Sequence, residues 1–217
     1  VTLTAATPGG TWSGTGITNP SNGTFHPGIA GPGDFVIYYQ ITNGSCSDSD
    51  SITIHVDEYQ NTTISPAGPF CENDASVNLT AATPGGTWSG NGIIDAILGI
   101  FDPPTAGSGT HIIDYEITNG ACTSLSSITI QVDEFFDATI TPAGPYCDNG
   151  SEVTLTAATP GGTWSGIGIT NPSNGTFHPG IAGPGDFVIY YQITNGSCSD
   201  SDSITIHVDE YQNTTIS

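Results

Sequence analysis

The sequence predicts an all-β protein that consists of tandem immunoglobulin-like β-sandwich domains in a linear array, without significant helix. Three observations predict this fold: a repeat within the chain, short segments in which apolar and polar residues alternate, and closely spaced turn residues. The 217 residues include 29 Gly and 15 Pro, and only 35% are hydrophobic. This composition is typical of strands that are joined by many turns.

One ten-residue sequence, Ala-Ala-Thr-Pro-Gly-Gly-Thr-Trp-Ser-Gly, defines the repeat. It begins at Ala5, Ala81 and Ala157, which is a shift of 76 residues each time (81 − 5 and 157 − 81). The rest of the chain aligns at this shift without a gap, so that cysteines align with cysteines and Asn-Gly pairs with Asn-Gly pairs. An array of this kind gains length by copying one unit, which favours a structural role over a single active site.

Two kinds of repeat alternate along the chain. Residues 1–65 reappear as residues 153–217 with one difference, Thr15 against Ile167. We therefore read the chain as repeat A, repeat B and repeat A, and expect it to be an internal segment of a longer array. The predicted domains are repeat A at 1–58 (without its first strand and first Cys), repeat B at 59–134, repeat A at 135–210, and the first strand of a following repeat at 211–217.

Within each repeat, the pattern of side chains predicts strands and hairpins. Val77, Leu79 and Ala81 alternate with polar residues, as in a strand with one buried face. Residues 35–41 are apolar at nearly every position, which predicts a central strand that is buried on both faces. Asn-Gly pairs begin at positions 43, 119 and 195 and predict tight hairpin turns. No segment shows a capped helical stripe of apolar residues.

The tryptophan of each repeat follows a Pro-Gly-Gly turn. We predict that Trp12, Trp88 and Trp164 are core aromatic residues on an early strand of each domain. The alternative is that they form an exposed platform for a ligand.

Charge excludes several classes of function. The chain contains no Lys or Arg and 21 Asp or Glu residues, which gives a formal net charge of −21. Binding of nucleic acid is excluded because phosphate neutralisation needs basic side chains. Phosphate-binding loops, Schiff-base chemistry and bidentate carboxylate clamps also need Lys or Arg, so we predict that the protein is not an enzyme. No apolar stretch approaches the roughly 20 residues of a membrane span, and we expect no membrane insertion.

Five cysteines recur with the repeat and predict disulfides in an oxidising compartment. The favoured pairing joins Cys71 to Cys122 and Cys147 to Cys198, and gives Cys46 a partner outside this sequence. The alternative joins Cys46 to Cys71 and Cys122 to Cys147 across domain junctions. Zinc binding is disfavoured, because no cysteine has a second Cys or a His within a few residues.

Five histidines occupy positions that change between repeats. His26 and His178 align with Asp102, His55 and His207 align with Gln131, and His111 aligns with Phe35. Because such positions tolerate exchange, we interpret these histidines as solvated strand residues and not as catalytic groups or metal ligands. No catalytic residue is predicted.

Carboxylates gather where each repeat ends and the next begins. Ca²⁺ takes six to eight oxygen ligands, so one hypothesis is that it stiffens these junctions. The alternative is that the carboxylates keep strand edges soluble and separate. The predicted calcium ligands are Asp57, Glu58, Asp133, Glu134, Asp209 and Glu210. We expect no cofactor other than this calcium.

The spacing of the first Cys, the Gly-Gly-Thr-Trp-Ser-Gly segment, and the Asn-Gly-Ser-Cys segment resembles the Ig-like tandem repeats of giant cell-surface proteins of Bacteroidota. Those proteins are exported by the type IX secretion system and include gliding-motility adhesins. The resemblance covers the whole chain and implies a secreted or cell-surface location. It also implies glycosylation within Asp-Ser-apolar triplets, here at Ser51 and Ser203. Repeat B has Ser-Ser-Ile at the corresponding place and lacks this signal.

These observations predict a structural segment of a long extracellular filament or stalk of an adhesin, which extends through disulfide-stapled Ig-like domains. The expected partners are neighbouring repeats of the same polypeptide or identical subunits of a filament. The alternative is that each domain binds a carbohydrate or a surface, with Tyr38, Tyr39 and Tyr59 as stacking residues.

Overall fold

The computed structural model of the chain describes residues 1–214. It contains 49% strand and 6% helix, which confirms the predicted all-β fold. None of the helices in these 214 residues has the length and apolar character that a membrane span requires.

The strands and single-turn helices follow one order in every repeat. The first repeat contains β1 (Thr11–Ser13), β2 (Ile17–Asn19), β3 (Thr24–Phe25), α1 (Pro27–Ala30), β4 (Gly33–Asn43) and β5 (Cys46–Val56). The second contains β6 (Phe70–Cys71), β7 (Val77–Asn78), β8 (Thr87–Ser89), β9 (Ile93–Asp95), β10 (Ile100–Phe101), α2 (Pro103–Ala106), β11 (Gly109–Asn119) and β12 (Cys122–Asp133). The third contains β13 (Tyr146–Cys147), β14 (Val153–Thr154), β15 (Thr163–Ser165), β16 (Ile169–Asn171), β17 (Thr176–Phe177), α3 (Pro179–Ala182), β18 (Gly185–Asn195) and β19 (Cys198–Asp209).

The third repeat shows the complete Ig-like topology. One sheet has the strand order β13-β19-β18-β15 and the other has the order β14-β17-β16. Strand β13 runs parallel to β19, whereas the other neighbours are antiparallel. An additional bridge joins Ile140 to Ala157, outside the named strands. The second repeat has the same two strand orders, β6-β12-β11-β8 and β7-β10-β9. Tandem Ig-like sandwiches are therefore the fold of this chain.

A hairpin of two long strands is the largest element of each repeat. In the third repeat, β18 and β19 pair continuously from Asn195 opposite Cys198 to Gly185 opposite Val208. Along β18, Ile189 is fully buried while its neighbours Val188 and Tyr190 are 44% and 54% exposed. Val36 and Tyr38 are likewise 45% and 52% exposed beside the buried Ile37. The expectation that residues 35–41 form a strand buried on both faces is therefore wrong, because the second sheet covers only one face.

The repeated Pro-Gly-Gly-Thr-Trp segment surrounds a buried tyrosine. Trp164 packs on Tyr191 with ring centroids 4.5 Å apart, and both side chains are at most 4% exposed. The Tyr191 hydroxyl donates a hydrogen bond to the Thr159 carbonyl and accepts one from the Gly162 N–H, each at 2.7 Å. A Cβ at Gly162 would overlap the Tyr191 ring and nearby backbone. The segment therefore encloses the ring closely, and the prediction of a core tryptophan is confirmed.

The other two repeats contain the same aromatic pair. Trp12 packs on Tyr39 at 4.7 Å and Trp88 packs on Tyr115 at 4.5 Å. Tyr39 also bonds to the backbone of the preceding loop, through the Gly10 N–H and the Thr7 carbonyl. Its interpretation as a surface stacking residue is therefore wrong.

The chain divides into two compact units. The first comprises Val1–Ser65, Thr80–Trp88 and Asp114–Ser127, and the second comprises Pro66–Leu79, Ser89–Ile113 and Ile128–Ser217. Repeat B contributes to both, although every strand pairing named above lies within one repeat. The boundaries at 58/59 and 134/135 stay predictions. The predicted strand at 211–217 is not formed over residues 211–214, and residues 215–217 lie outside the described part.

Candidate functional site: the junction between successive repeats

The Asn-Gly hairpin of the third repeat contacts the last residues of the second. Asp133 ends β12, and its Oδ2 accepts hydrogen bonds from the Ser197 N–H at 2.6 Å and the Ser197 hydroxyl at 2.9 Å. Asn195 Nδ2 donates to the Glu134 carbonyl at 2.9 Å. The carbonyl of Asp133 accepts from the Glu72 N–H at 2.9 Å. Asp133 thus connects the end of β6 in its own repeat to the hairpin of the next.

The junction between the first and second repeats has two of these contacts, 76 residues earlier. Asp57 Oδ2 accepts from the Ala121 N–H at 2.7 Å, and Asn119 Nδ2 donates to the Glu58 carbonyl at 3.0 Å. Cys122 Sγ lies 3.8 Å from the Asp57 carbonyl oxygen. The second repeat therefore carries both an acidic end, which a hairpin binds, and a hairpin that binds such an end.

The glycine of the hairpin serves both the turn and the junction. Gly196 and Gly120 have φ values of 57° and 56°, which glycine adopts without strain. A Cβ at Gly196 would overlap the Asp133 carboxylate, and a Cβ at Gly120 would overlap that of Asp57. The sequence identified these residues as hairpin residues, but nothing local to them indicates that the carboxylate lies against the turn.

Hydrogen bonds from Ser197 hold the pKa of Asp133 below its ordinary value. The bond from the Ser197 backbone N–H has the largest effect, and the bond from its hydroxyl has the next largest. A group whose pKa is lowered by folding stabilises the folded state at pH values above its unfolded pKa, and this contribution is lost as the pH falls through the folded pKa.

We therefore expect Asp133→Asn to lower the melting temperature at pH 7. The difference from the wild type should shrink below about pH 4. Thermal melts between pH 7 and pH 2 test this, and a difference that does not change with pH would contradict it.

A disulfide joins Cys71 to Cys198 at this junction, with a Cα–Cα distance of 4.9 Å. The predicted pairs Cys71–Cys122 and Cys147–Cys198 are not formed, and Cys46, Cys122 and Cys147 are free. The alternative pairs, Cys46–Cys71 and Cys122–Cys147, are not formed either. The disulfide between Cys71 and Cys198 instead connects the beginning of the second repeat to the hairpin of the third.

Strand register explains why pairing within one repeat fails. Cys147 lies opposite Asp209 at the end of β19, whereas Cys198 begins the same strand. Eleven residue steps of extended chain separate the two positions by about 36 Å. A disulfide needs Cα atoms within about 7 Å of each other. Cys71 likewise lies opposite Asp133, the last residue of β12, and Cys122 is the first.

Two aspartates of β19 anchor the first segment of the third repeat. Asp200 Oδ2 accepts from the Ala138 N–H at 2.9 Å, and Asp202 Oδ2 accepts from the Ile140 N–H at 2.8 Å. Ala138 and Ile140 are buried in the core of this repeat. Sequence reasoning missed this role. The signal was the replacement of both aspartates by serines in repeat B, where Ser126 instead contacts the Thr62 hydroxyl at 2.8 Å.

The carboxylates predicted to bind calcium have different surroundings. Asp57 and Asp133 bind hairpin N–H groups, Asp209 lies 3.2 Å from His207 Nε2, and Glu58, Glu134 and Glu210 are exposed. Within residues 1–214, no group of three or more His, Cys, Asp or Glu side chains is arranged to hold a metal ion. Calcium at the junctions stays a prediction.

His207 lies on the surface between two carboxylates, as does His55 in the first repeat. His207 Nδ1 donates to Asp186 at 2.6 Å, and Nε2 lies 3.2 Å from Asp209. The hydrogen bond to Asp186 is the main cause that raises the pKa of His207 above its ordinary value. In repeat B the equivalent residue is Gln131, which accepts from the Thr110 hydroxyl at 2.8 Å.

The raised pKa predicts a pH-dependent contribution to stability. Because folding raises the pKa of His207, the stabilisation is complete below the unfolded value of about 6.5 and is lost as the pH rises through the folded value. We expect His207→Gln, the residue that repeat B uses, to lower the melting temperature at pH 5.5 more than at pH 9. Melting curves at both values measure this. Equal effects at the two pH values would show that the charge of the imidazolium has no role.

The predicted glycosylation sites lie on exposed strand positions. Ser51 is opposite Tyr38 in the β4–β5 hairpin, and Ser203 is opposite Tyr190 in the β18–β19 hairpin. Both serine residues are exposed, and their modification stays a prediction.

The sequence matches no protein-family model and none of the curated proteins. Among solved structures, the chain is similar to the insect immune protein hemolin, with 12% identity, a TM-score of 0.43, and coverage of 94% of this chain and 68% of hemolin. It is similar to an I-band fragment of titin, with 15% identity, a TM-score of 0.46, and coverage of 95% and 84%. It is also similar to extracellular domains 3–5 of Drosophila OTK, with 10% identity, a TM-score of 0.43, and coverage of 94% and 85%. Likeness at this level carries no inference about function.

Proposed function

We propose that this chain is a segment of an extracellular stalk or filament, in which Ig-like repeats supply length. The observation that carries the proposal is the repetition of one junction: Asp57 and Asp133 bind the following hairpin through equivalent contacts. A repeat that has an Asn-Gly hairpin for the preceding repeat and an acidic end for the following repeat can be added without any change in its neighbours.

Composition and covalent structure support a location outside the cell. A disulfide between repeats persists in an oxidising compartment. The lack of Lys and Arg leaves no cleavage site for trypsin-like proteases. The resemblance to surface repeats of Bacteroidota supports the same location, and a gliding-motility adhesin is the kind of whole protein that we propose. The chemistry of the side chains supports a role without catalysis, without nucleic acid and without insertion into a membrane.

Chains with two, three, five and seven repeats test the stalk directly. Small-angle scattering should give a radius of gyration that rises nearly in proportion to the number of repeats. A compact body would instead follow about the 0.38 power of the number of residues. That weaker dependence would refute the proposed stalk, whatever the state of the disulfides.

A groove in the first repeat supports association with a strand from another repeat. It has a volume of about 290 Å³, and its lining includes Trp12, Tyr39, Asp48 and Asp50. In the third repeat the aspartates equivalent to Asp48 and Asp50 bind the strand around Ala138 and Ile140. We propose that a strand of this type binds to Asp48 and Asp50 in the first repeat.

A peptide with the sequence of residues 135–141 should therefore bind the chain. It would gain the buried contacts of Ala138 and Ile140, and its N–H groups would bind Asp48 and Asp50. Isothermal titration calorimetry measures the affinity. The matched control is the same peptide with Ile140→Asp, which would bury an unpaired carboxylate. Equal affinities, or no binding of either peptide, would refute a strand-accepting groove.

A second candidate function is the binding of carbohydrate. Tyr38 and Tyr190 are 52% and 54% exposed at equivalent positions, and Tyr59 is 70% exposed. These rings could stack on sugars. A glycan array probed with the wild-type chain and with Tyr38→Ala/Tyr190→Ala tests this function. A signal that disappears in the double variant would support it, and the lack of any signal would refute it.

A further inference from the structure

The disulfide closes a loop that is longer than the repeat. Cys71 and Cys198 are 127 residues apart, whereas the repeat is 76 residues long. Cys147 is the equivalent of Cys71 one repeat later, and it lies inside the loop that the bond closes. A second bond of the same kind, beginning at Cys147, would overlap the first by 51 residues (127 − 76).

Two of the free cysteines are equivalent to the two cysteines of this bond: Cys147 is equivalent to Cys71, and Cys122 is equivalent to Cys198. Cys147 lies opposite Asp209 on a strand parallel to β19, as Cys71 lies opposite Asp133 beside β12. Cys122 follows the hairpin that Asp57 binds, as Cys198 follows the hairpin that Asp133 binds. The sulfur of Cys122 lies 3.8 Å from the Asp57 carbonyl, and that of Cys198 lies 3.2 Å from the Asp133 carbonyl.

We propose that Cys147 and Cys122 are the bonding sites for neighbouring repeats, so that the first cysteine of each repeat is joined to the hairpin cysteine of the next. In each bond two thiols lose two protons and two electrons to a disulfide-containing oxidant. The disulfide of the oxidant is reduced to two thiols, which take up these protons and electrons through thiol–disulfide exchange. The result is a series of overlapping covalent loops along the array.

This arrangement makes the array tolerant of backbone cleavage. Any peptide bond between residues 71 and 198 lies inside the closed loop, so its hydrolysis leaves both fragments joined through sulfur. Because successive loops overlap, the same protection extends through every repeat that has neighbours on both sides. The inference rests on the cysteine positions and the junction contacts, and holds whether or not the array is a stalk.

The lack of Lys and Arg allows a direct test with trypsin. Ile97 is 73% exposed in the turn between β9 and β10, and Ile97→Arg creates a tryptic site inside the loop. After complete cleavage, the oxidised protein should keep the mass of the full chain plus one water. With reductant it should give residues 1–97 and 98–217. Separation of these fragments without reductant would overturn the proposal.

The repeat supplies a matched control. Ser21 is the exposed residue equivalent to Ile97 in the first repeat and lies outside the loop. Cleavage of Ser21→Arg should release residues 1–21 without reductant. Ile97→Arg/Cys198→Ser should also separate without reductant, because it lacks the bond. Continued linkage of the fragments in this last variant would show that a different disulfide joins them.

A longer chain tests the bonding sites themselves. A chain in which residues 59–210 are present twice, with Cys122→Ser in the first copy and Cys147→Ser in the second, contains a repeat after the remaining Cys147 and one before the remaining Cys122. Refolding with oxidised glutathione, followed by proteolysis and mass spectrometry without reductant, should link Cys147 of the first copy to Cys122 of the second. Full alkylation of both thiols, or their linkage to other cysteines, would overturn the assignment.

Discussion

Replacement of Trp164 by alanine is expected to lower the free energy of unfolding of the third repeat by about 3–5 kcal/mol. The indole is 4% exposed and packs on Tyr191 in the centre of the core. Its removal leaves a cavity, and it also loosens the loop whose backbone binds the Tyr191 hydroxyl. Denaturation in urea, followed by circular dichroism, measures the loss.

Tyr190 provides the control for this substitution. It directly precedes Tyr191 but lies on the outer face of the sheet and is 54% exposed. Tyr190→Ala should change the free energy of unfolding by no more than about 0.5 kcal/mol. Similar losses for Trp164→Ala and Tyr190→Ala would contradict the assignment of inner and outer faces.

Removal of the disulfide is expected to cost about 2–5 kcal/mol. Without the bond between Cys71 and Cys198, the unfolded chain gains the entropy of a loop that spans 127 positions. The chain-entropy relation gives about 5 kcal/mol for a loop of this size, which is an upper value. Urea denaturation of Cys198→Ser under oxidising conditions measures the effect.

The control is Cys46→Ser. Cys46 follows the hairpin of the first repeat but is exposed and free, so its replacement should leave stability unchanged. Reductant should destabilise the wild type and Cys46→Ser equally, and should have no effect on Cys198→Ser. Sensitivity of Cys198→Ser to reductant would show that another disulfide contributes to stability.

The strands and turns could be predicted because their signals are local. Alternation along a strand reflects which face is buried, and an Asn-Gly pair encodes a hairpin in its own backbone preferences. The position of Trp164 in the core followed from the same pattern. The exposure of Val188 and Tyr190 did not, because an apolar residue can lie on a sheet surface when the sheet is covered on one side only.

The junction could be predicted only in part. The acidic ends and the hairpins were both identified, but their contact joins residues about 60 positions apart, such as Asn195 and Glu134. The charge of Asp133 favoured a cation as its partner, whereas the structure supplies the Ser197 N–H and hydroxyl. In a chain without Lys or Arg, backbone N–H groups are abundant partners for carboxylates.

The order of amino acids alone determined the repeat, its strands and the aromatic residues of its core, since each depends on neighbours or on a regular spacing. Tertiary structure alone decided which cysteines meet. Cys71 and Cys198 belong to different repeats. Within one repeat, Cys147 lies on a short strand that runs parallel to β19 and is opposite its last residue, whereas Cys198 is the first residue of β19. The same holds for Cys71 and Cys122 on β12. Spacing along the chain contains no information about that direction.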